Sequence, residues 1–262
     1  MGYHRPPMRP HWRRFLIWAS AGLAALALAA AAVRFLAPEA WGALMRRVRG
    51  EQTVAGAAGE IAPEVGPGLA ELFAGKGCKY PPERLTFIAL KDERRLEVWA
   101  PLADGRARLV REYPVLAASG RAGPKLREGD RQVPEGVYGI VALNPNSRFH
   151  LSMMLDYPNS DDVAAAERAG RSDLGGEIFI HGGAVSIGCL AVGDRAIENL
   201  FVLVADVGME NVRVIIAPRD PRDGSALQPI PGLASTGPLY RRVEESLRPF
   251  VVPAGGSAGK GG

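Results

Sequence analysis

The sequence predicts a mainly β domain of mixed short strands with one main helix, preceded by a separate apolar helix near the N-terminus. Three observations carry this prediction. Apolar and polar residues alternate in several short runs that glycine, proline and asparagine separate. A single longer segment has the spacing and end signals of a helix. A long uncharged stretch lies close to the N-terminus, apart from these elements.

The N-terminal apolar segment, Phe15–Val33, has no charge until Arg34 and follows a cluster of four arginines. Its length suits a helix that crosses a hydrocarbon core of about 30 Å, and the arginines before it would stay inside. We interpret it as an uncleaved membrane anchor. A cleaved signal peptide is the alternative, because "LALAAAA" offers small residues at a cleavage-like spacing. Both interpretations place the rest of the chain at the outer, periplasmic face of the inner membrane.

Composition divides the chain into four predicted parts. Residues 1–36 hold the basic N-terminus and the apolar segment. Residues 37–79, rich in Ala, Gly, Glu and Pro, are interpreted as a membrane-proximal spacer with two short helical patterns. Residues 80–219 carry the predicted strands and form the main domain. Residues 220–262 are interpreted as a proline- and glycine-rich, partly disordered tail with one short helical pattern.

The predicted strands begin with a β-hairpin. "RLTFIALK" and "RLEVWAPL" alternate apolar and polar residues around the turn-like "DER". Further strands are predicted at "RARLVREYPVLAAS", "VYGIVALN", "RFHLSMML" and "GGEIFIHGG", with a closing strand at "ENVRVIIAP". The main helix is predicted at "DRAIENLFVLVADVG", with Asp194 as its N-cap and Gly208 just beyond its end.

Charge and cysteine content narrow the class of protein. The net charge is only +4, and no basic stripe with interleaved aromatics indicates a nucleic-acid partner. The chain has two cysteines, Cys78 and Cys189. Outside the cytoplasm cysteines tend to be paired, and a disulfide between these two would prevent Cys189 from acting as a nucleophile. Cys78 has no acid or base nearby in the sequence and is interpreted as structural or incidental.

The stretch "IFIHGGAVSIGCLAVGD", residues 178–194, brings a histidine and a cysteine into one glycine-rich loop. A thiol becomes a strong nucleophile as the thiolate, which needs a base or a positive field. His181 would lie at a strand end, and the chain between it and Cys189 is long enough to fold back. Alternatively, both are ordinary packed residues. A zinc site is disfavoured because few other ligands remain, and a phosphate loop because no Gly-Lys-Ser/Thr follows.

The small residues of this loop fit a catalytic interpretation. Gly182 and Gly183 let the chain turn sharply with little steric cost. Ser186 can brace the loop through its hydroxyl. Gly188 allows the backbone to approach a substrate carbonyl, so the amides of Gly188 and Cys189 could form an oxyanion hole.

Several segments together resemble the YkuD-type L,D-transpeptidase family. "HGGAVSIGC" is similar to its H-G-x(n)-S-x-G-C signature, and "GDRQVPEGVYGI" is similar to its (T)P-x-G-x-(F/Y) segment, with Val133 where threonine is usual. "LNPNSRFHLSMMLDYPN" and "GCLAVGD" resemble the YafK-like branch. The resemblance extends from Leu85 to Pro218 and implies a β-sandwich with a cysteine-dependent activity on peptidoglycan.

The resemblance implies roles for individual residues. Cys189 would attack the diaminopimelate carbonyl of a stem peptide, and His181 would accept the thiol proton and return a proton to the leaving amine. A backbone carbonyl near Gly182 or Gly183 would orient the imidazole. An amine or water would resolve the acyl-enzyme, and no metal or organic cofactor is needed.

Further residues are implied less directly. Pro134 and Gly136 would shape the cradle for the donor peptide. Arg148, Tyr157 and Asn159 are candidates for lining the substrate groove, although each has an ordinary structural interpretation as well. His150 is interpreted as a packed or surface residue in a strand.

One departure from the family leaves the reaction's outcome open. Many members have arginine two positions after the cysteine, where this chain has Ala191. The YafK-like branch shares this lack, and it includes hydrolytic members that release a lipoprotein from the wall. The expected function is therefore a cysteine acyltransferase on peptidoglycan. The alternatives are a hydrolase that releases wall-linked lipoprotein or terminal D-Ala, and a wall-binding module without turnover. A sortase-like enzyme is disfavoured, because its upstream histidine and following arginine are missing.

Overall fold

The computed structural model describes residues 50–251 and four further positions, 18, 29, 31 and 32. By its contacts the chain divides into two units, Met1–Glu51 and Gln52–Gly262, and the fold below is that of the second. Apart from those four positions, the predicted membrane anchor or signal segment lies outside the described residues, as does the first helical pattern of the predicted spacer. Within the part of the chain that is described, none of the helices combines the length and apolarity needed to cross a bilayer.

The described residues contain nine strands in one continuous sheet. In chain order they are β1 (Leu85–Leu90), β2 (Arg95–Pro101), β3 (Ala107–Pro114), β4 (Ala117–Ala118), β5 (Gly136–Asn144), β6 (Ser152–Leu155), β7 (Phe179–His181), β8 (Leu190–Ala191) and β9 (Val212–Ala217). The order across the sheet is β3-β2-β1-β9-β5-β6-β7-β8-β4. Neighbours are antiparallel except for the parallel pairs β1–β9 and β7–β8. The prediction of a mainly β domain is confirmed.

Strand β5 joins the two halves of this sheet. Its first residues, from Gly136 to Gly139, pair with β9. After a register shift between Ile140 and Ala142, the rest of the strand pairs with β6. A bulge of this kind bends a strand and increases its twist. The sheet is therefore curled and continuous.

Apolar side chains cover both faces of the half that contains β1 and β9. On β1, Phe87 and Ala89 belong to the larger hydrophobic core, whereas Ile88 and Leu90 belong to a second core on the other face. Successive side chains of a strand point to opposite faces, so a strand buried on both sides reads as an almost continuous apolar run. This explains why "LTFIAL" carries so few polar residues.

Between residues 50 and 251 the structure has four α-helices where one main helix was predicted, and the predicted helical patterns "GLAELFAG" and "LYRRVEESL" lie within two of the others. They are α1 (Val54–Gly75), α2 (Ser160–Arg168), α3 (Asp194–Val207) and α4 (Thr236–Leu247). Helix α1, in the predicted spacer, packs against α3 and contributes Leu69 and Phe73 to the larger core. Helix α4, in the predicted tail, packs against β5 and β9 and contributes to the second core. Pro63 and Pro67 interrupt the pattern of α1, and proline-rich sequence precedes α4, so each helix shows in the sequence only as a short helical pattern within a segment that resembles a linker.

Candidate active site

His181 and Cys189 lie on neighbouring parallel strands. His181 is the last residue of β7 and pairs with Ala191, while Cys189 directly precedes β8. Because side chains alternate along a strand, residues two positions apart share a face. The register therefore directs the side chains of His181 and Cys189 to the same face of the sheet. The loop between them folds back as the sequence spacing suggested.

The Cys189 thiol has a backbone carbonyl as its hydrogen-bond acceptor. Among the described residues, no hydrogen bond joins Cys189 Sγ to the His181 ring; the sulfur lies 3.9 Å from the carbonyl oxygen of Glu177. Catalytic hydrogen bonds are often long in substrate-free enzymes and shorten when substrate binds. Direct proton transfer requires the Cys189 side chain to turn from the Glu177 carbonyl towards the ring.

His181 is held as a neutral base. The side chain is only 2% exposed, and its Nδ1 lies 2.6 Å from the carbonyl oxygen of Gly182. A carbonyl can only accept, so Nδ1 carries the proton and Nε2 keeps a free lone pair in the neutral ring. Burial lowers the pKa of His181, the charge of Arg148 lowers it further, and the Gly182 carbonyl acts in the opposite direction. The imidazole is therefore available to accept a proton at neutral pH.

Phe149 positions the imidazole from the side. The two rings lie 4.5 Å apart between centroids, at an angle of 30°. Phe149 belongs to the loop before β6, where sequence reasoning placed a strand from Arg148 onwards; strand β6 begins only at Ser152. His150, in the same loop, has a φ of 73° and is exposed, with Nε2 2.8 Å from Glu198 Oε1 on α3. A left-handed residue cannot continue a strand, which explains the shorter element.

Gly182 and Gly183 shape the turn after His181. A Cβ on Gly182 would lie 2.5 Å from the Phe149 carbonyl oxygen and 2.7 Å from Asp194 Oδ1, so only glycine fits there. Gly183 has a φ of 70° and donates its amide to Asp194 Oδ1 at 2.7 Å. Asp194 is the first residue of α3 rather than its N-cap, which is Gly193. Its carboxylate thus holds the histidine loop and leaves the N-cap position to Gly193.

Two serines hold the cysteine end of the loop. Ser186 Oγ accepts the Cys189 amide at 3.0 Å and donates to the Cys189 carbonyl at 2.6 Å. The Gly188 amide donates to Ser119 Oγ at 2.5 Å. The two amides expected to form an oxyanion hole are therefore already occupied by hydroxyl groups. Each amide can stabilise an oxyanion only if the substrate displaces the serine hydroxyl to which that amide donates.

Burial and nearby charges act on the Cys189 thiol in opposite directions. Burial raises its pKa, the Phe179 backbone and the charge of Lys125 lower it, and Glu177 raises it, with a net upward shift. The thiol is therefore protonated at neutral pH and needs a base when it reacts. Cys189 is half-buried, and both cysteines are free, so no disulfide with the buried Cys78 blocks the sulfur.

The other predicted site residues have structural roles. Pro134 is buried before β5, and a Cβ on Gly136 would lie 2.8 Å from Tyr138 Oη. Tyr157 is buried and donates its hydroxyl to the Leu174 carbonyl, and Asn159 is the N-cap of α2. These last two side chains are engaged in the core and in helix capping, and a part in lining the substrate groove stays a prediction for both.

Arg148 is the exception among the candidate groove residues, since its side chain is exposed beside the site. In the described part of the chain, no group of three or more His, Cys, Asp and Glu side chains is arranged to hold a metal ion.

Sequence reasoning missed Ser119 and Phe149. Both reach the site through pairing or packing between segments distant in sequence, and no local pattern marks them.

Known proteins resemble this chain over its strand-rich half. The family model described as "YkuD: L,D-transpeptidase catalytic domain" matches residues 84–216. The chain is 33% identical over 133 residues to "Putative L,D-transpeptidase YafK" of Escherichia coli. The aligned stretch covers 49% of this chain and 51% of that protein. It thus spans about half the length of the curated relatives it matches.

Two solved structures show a more distant likeness. The helical cell shape determining protein Pgp2 from Campylobacter jejuni is 22% identical with a TM-score of 0.43, over 60% of this chain and 58% of that one. Bd1075 from Bdellovibrio bacteriovorus is 18% identical with a TM-score of 0.38, over 63% of this chain and 55% of that one.

Proposed function

Because the chain belongs to the YkuD family of L,D-transpeptidase catalytic domains, we propose that it is a cysteine acyltransferase that acts on peptidoglycan stem peptides. The observation that carries the proposal is the pairing of β7 with β8, which directs His181 and Cys189 to one face. A neutral base beside a half-buried thiol is the arrangement that nucleophilic acyl transfer requires. The proposed substrate lies outside the inner membrane, where the N-terminal segment is predicted to deliver the chain.

In the proposed reaction, the Cys189 thiol passes its proton to Nε2 of His181 as the sulfur attacks the diaminopimelate carbonyl. The carbonyl π bond becomes an oxyanion, and its collapse breaks the C–N bond to the next residue. The imidazolium returns the proton to the departing amine, which leaves a thioester on Cys189. An acceptor amine or water then attacks the thioester and regenerates the thiol. The Gly182 carbonyl keeps the His181 ring in the tautomer that these reaction steps require.

The oxyanion has to be stabilised by donors that are already in use. The amides of Gly188 and Cys189 point to the hydroxyls of Ser119 and Ser186 in the absence of substrate. We propose that the substrate carbonyl oxygen replaces at least one of these hydroxyls. Each amide that changes partner in this way exchanges one hydrogen bond for a stronger bond to a charged oxygen.

The purified protein, incubated with tetrapeptide muropeptides, tests the proposal. We expect cross-linked or hydrolysed products and a thioester adduct on Cys189, both detected by mass spectrometry. Cys189→Ala should abolish products and adduct, whereas Cys78→Ala, which removes the other free thiol, should retain both. Undiminished turnover by the Cys189→Ala protein would refute the proposal. Binding to sacculi without products or adduct would instead indicate a wall-binding module.

A further inference from the structure

Arg148 carries a positive charge that no acidic side chain among residues 50–251 pairs with. Its side chain is exposed, and it takes part in none of the ion pairs among residues 50–251. Two acidic residues near this loop have other partners. Glu198 lies 2.8 Å from His150 and 3.5 Å from Arg195, and Asp194 accepts the Gly183 amide. Within residues 50–251, a cation is thus left without an anion at the edge of the candidate active site.

Stacking holds this cation in place. The guanidinium carbon of Arg148 lies 4.9 Å from the centre of the Phe149 ring, and Phe149 in turn packs against the His181 ring at 4.5 Å. A guanidinium over an aromatic face gains a modest cation–π stabilisation and loses mobility. Its five N–H groups, which donate to no other residue in the described part of the chain, form a planar fork that matches a carboxylate. One aromatic side chain therefore contacts both the free cation and the proposed base.

We propose that Arg148 binds a carboxylate of the peptide substrate close to the bond that Cys189 attacks. This inference rests on the proposed function, because it assigns the peptide's orientation in the same site. A stem peptide offers two suitable groups near that bond: the free carboxylate of the diaminopimelate side chain and the C-terminal carboxylate of the following residue. Either would form a charge-assisted, bidentate contact with the guanidinium. Arg148 would thus select acidic donor peptides over amidated ones.

Three tetrapeptide substrates test the inference: the free acid, one amidated at the diaminopimelate side-chain carboxyl, and one with a C-terminal amide. In the wild type, amidation of the recognised carboxylate should raise KM roughly ten- to hundredfold. Arg148→Gln should raise KM for the free acid by a similar factor and lose discrimination between the free acid and that amide. The KM of Arg148→Lys for the free acid should lie between those of the wild type and Arg148→Gln, because lysine keeps the positive charge but lacks the planar, bidentate guanidinium.

Arg111→Gln is the matched control, because Arg111 stacks on Tyr113 in the same manner, at 5.1 Å, on β3. It should leave all three KM values unchanged. Equal losses for all three peptides in Arg148→Gln, or no loss at all, would overturn the inference.

Calorimetry of the same peptides with the Cys189→Ala protein separates this inference from the proposed function. Carboxylate recognition would be supported, even if the wild type shows no turnover, by two results together. One amidated peptide should bind more weakly than the free acid, and Arg148→Gln should weaken binding of the free acid by a similar factor. Equal binding of all three peptides would reject it even if turnover is observed.

Discussion

Ser119 and Gly188 meet across the candidate active site, with the Gly188 amide nitrogen 2.5 Å from the Ser119 hydroxyl oxygen. Ser119 follows β4, whose residue Ala118 pairs with Leu190, so the register brings Ser119 opposite Cys189. The same hydroxyl donates to the Arg131 carbonyl at 2.7 Å. One serine therefore ties the residue before the proposed nucleophile to the segment that leads into β5.

Ser119→Ala should lower kcat roughly tenfold while KM stays within about twofold, because small displacements of a reacting atom are costly. Ser119→Thr, which keeps the hydroxyl, should recover most of kcat. Steady-state turnover of muropeptides measures both constants. A higher kcat in Ser119→Ala would show instead that the hydroxyl only competes with the substrate for the Gly188 amide.

Gly182→Ala should destabilise the fold by about 2 kcal/mol or more, since its Cβ would collide with backbone at the Phe149 carbonyl. Gly59→Ala is the control: Gly59 is an exposed residue in α1 with no atom within 4 Å of its would-be Cβ. There alanine should stabilise by up to about 1 kcal/mol. Urea unfolding of both variants gives the two free energies. A Gly182→Ala protein as stable as the wild type would contradict the packing requirement.

The acidic limb of kcat/KM should have its midpoint below pH 6.5, the ordinary pKa of histidine, because burial and Arg148 favour the neutral ring of His181. Protonation of the base stops the reaction, so activity falls as the pH decreases through this lowered pKa. Arg148→Gln removes a positive charge, which makes protonation easier and should move the midpoint to higher pH. His150→Gln removes the neighbouring exposed histidine and should leave the midpoint unchanged. A midpoint that shifts in the His150→Gln variant would contradict the assignment of this acidic limb to His181.

Alkylation of Cys189 by iodoacetamide should be slow at pH 7 and should keep increasing at alkaline pH, because burial raises the pKa of the thiol above its ordinary value. The Cys78→Ala background removes the other thiol, and intact mass reports the adduct. A fast rate that is constant between pH 6 and pH 8 would indicate a preformed thiolate–imidazolium pair instead of a neutral one.

The local sequence pattern was sufficient to predict the β1–β2 hairpin, helix α3 and the loop that carries His181 and Cys189. Alternation, end signals and glycine content act within a few residues, and those features are visible in one sequence. Ser119 and Phe149 could not be found in this way, because β4–β8 pairing and ring packing join segments distant along the chain. The occupied amides of Gly188 and Cys189 were hidden for the same reason, since a hydrogen-bond partner is a property of the folded chain.

Parallel neighbours in a sheet usually need a connection of a dozen or more residues, often with a helix. Here β7 ends at His181 and β8 begins at Leu190, so only residues 182–189 make the link. An extra amino acid inserted between Cys189 and Leu190 would shift the alternation by one and send the sulfur to the opposite side of the sheet. The direct attachment of Cys189 to β8 is thus as strict a requirement for the proposed chemistry as the identity of the two side chains, and a chain with an insertion between Cys189 and Leu190 would retain the fold but lose the reaction.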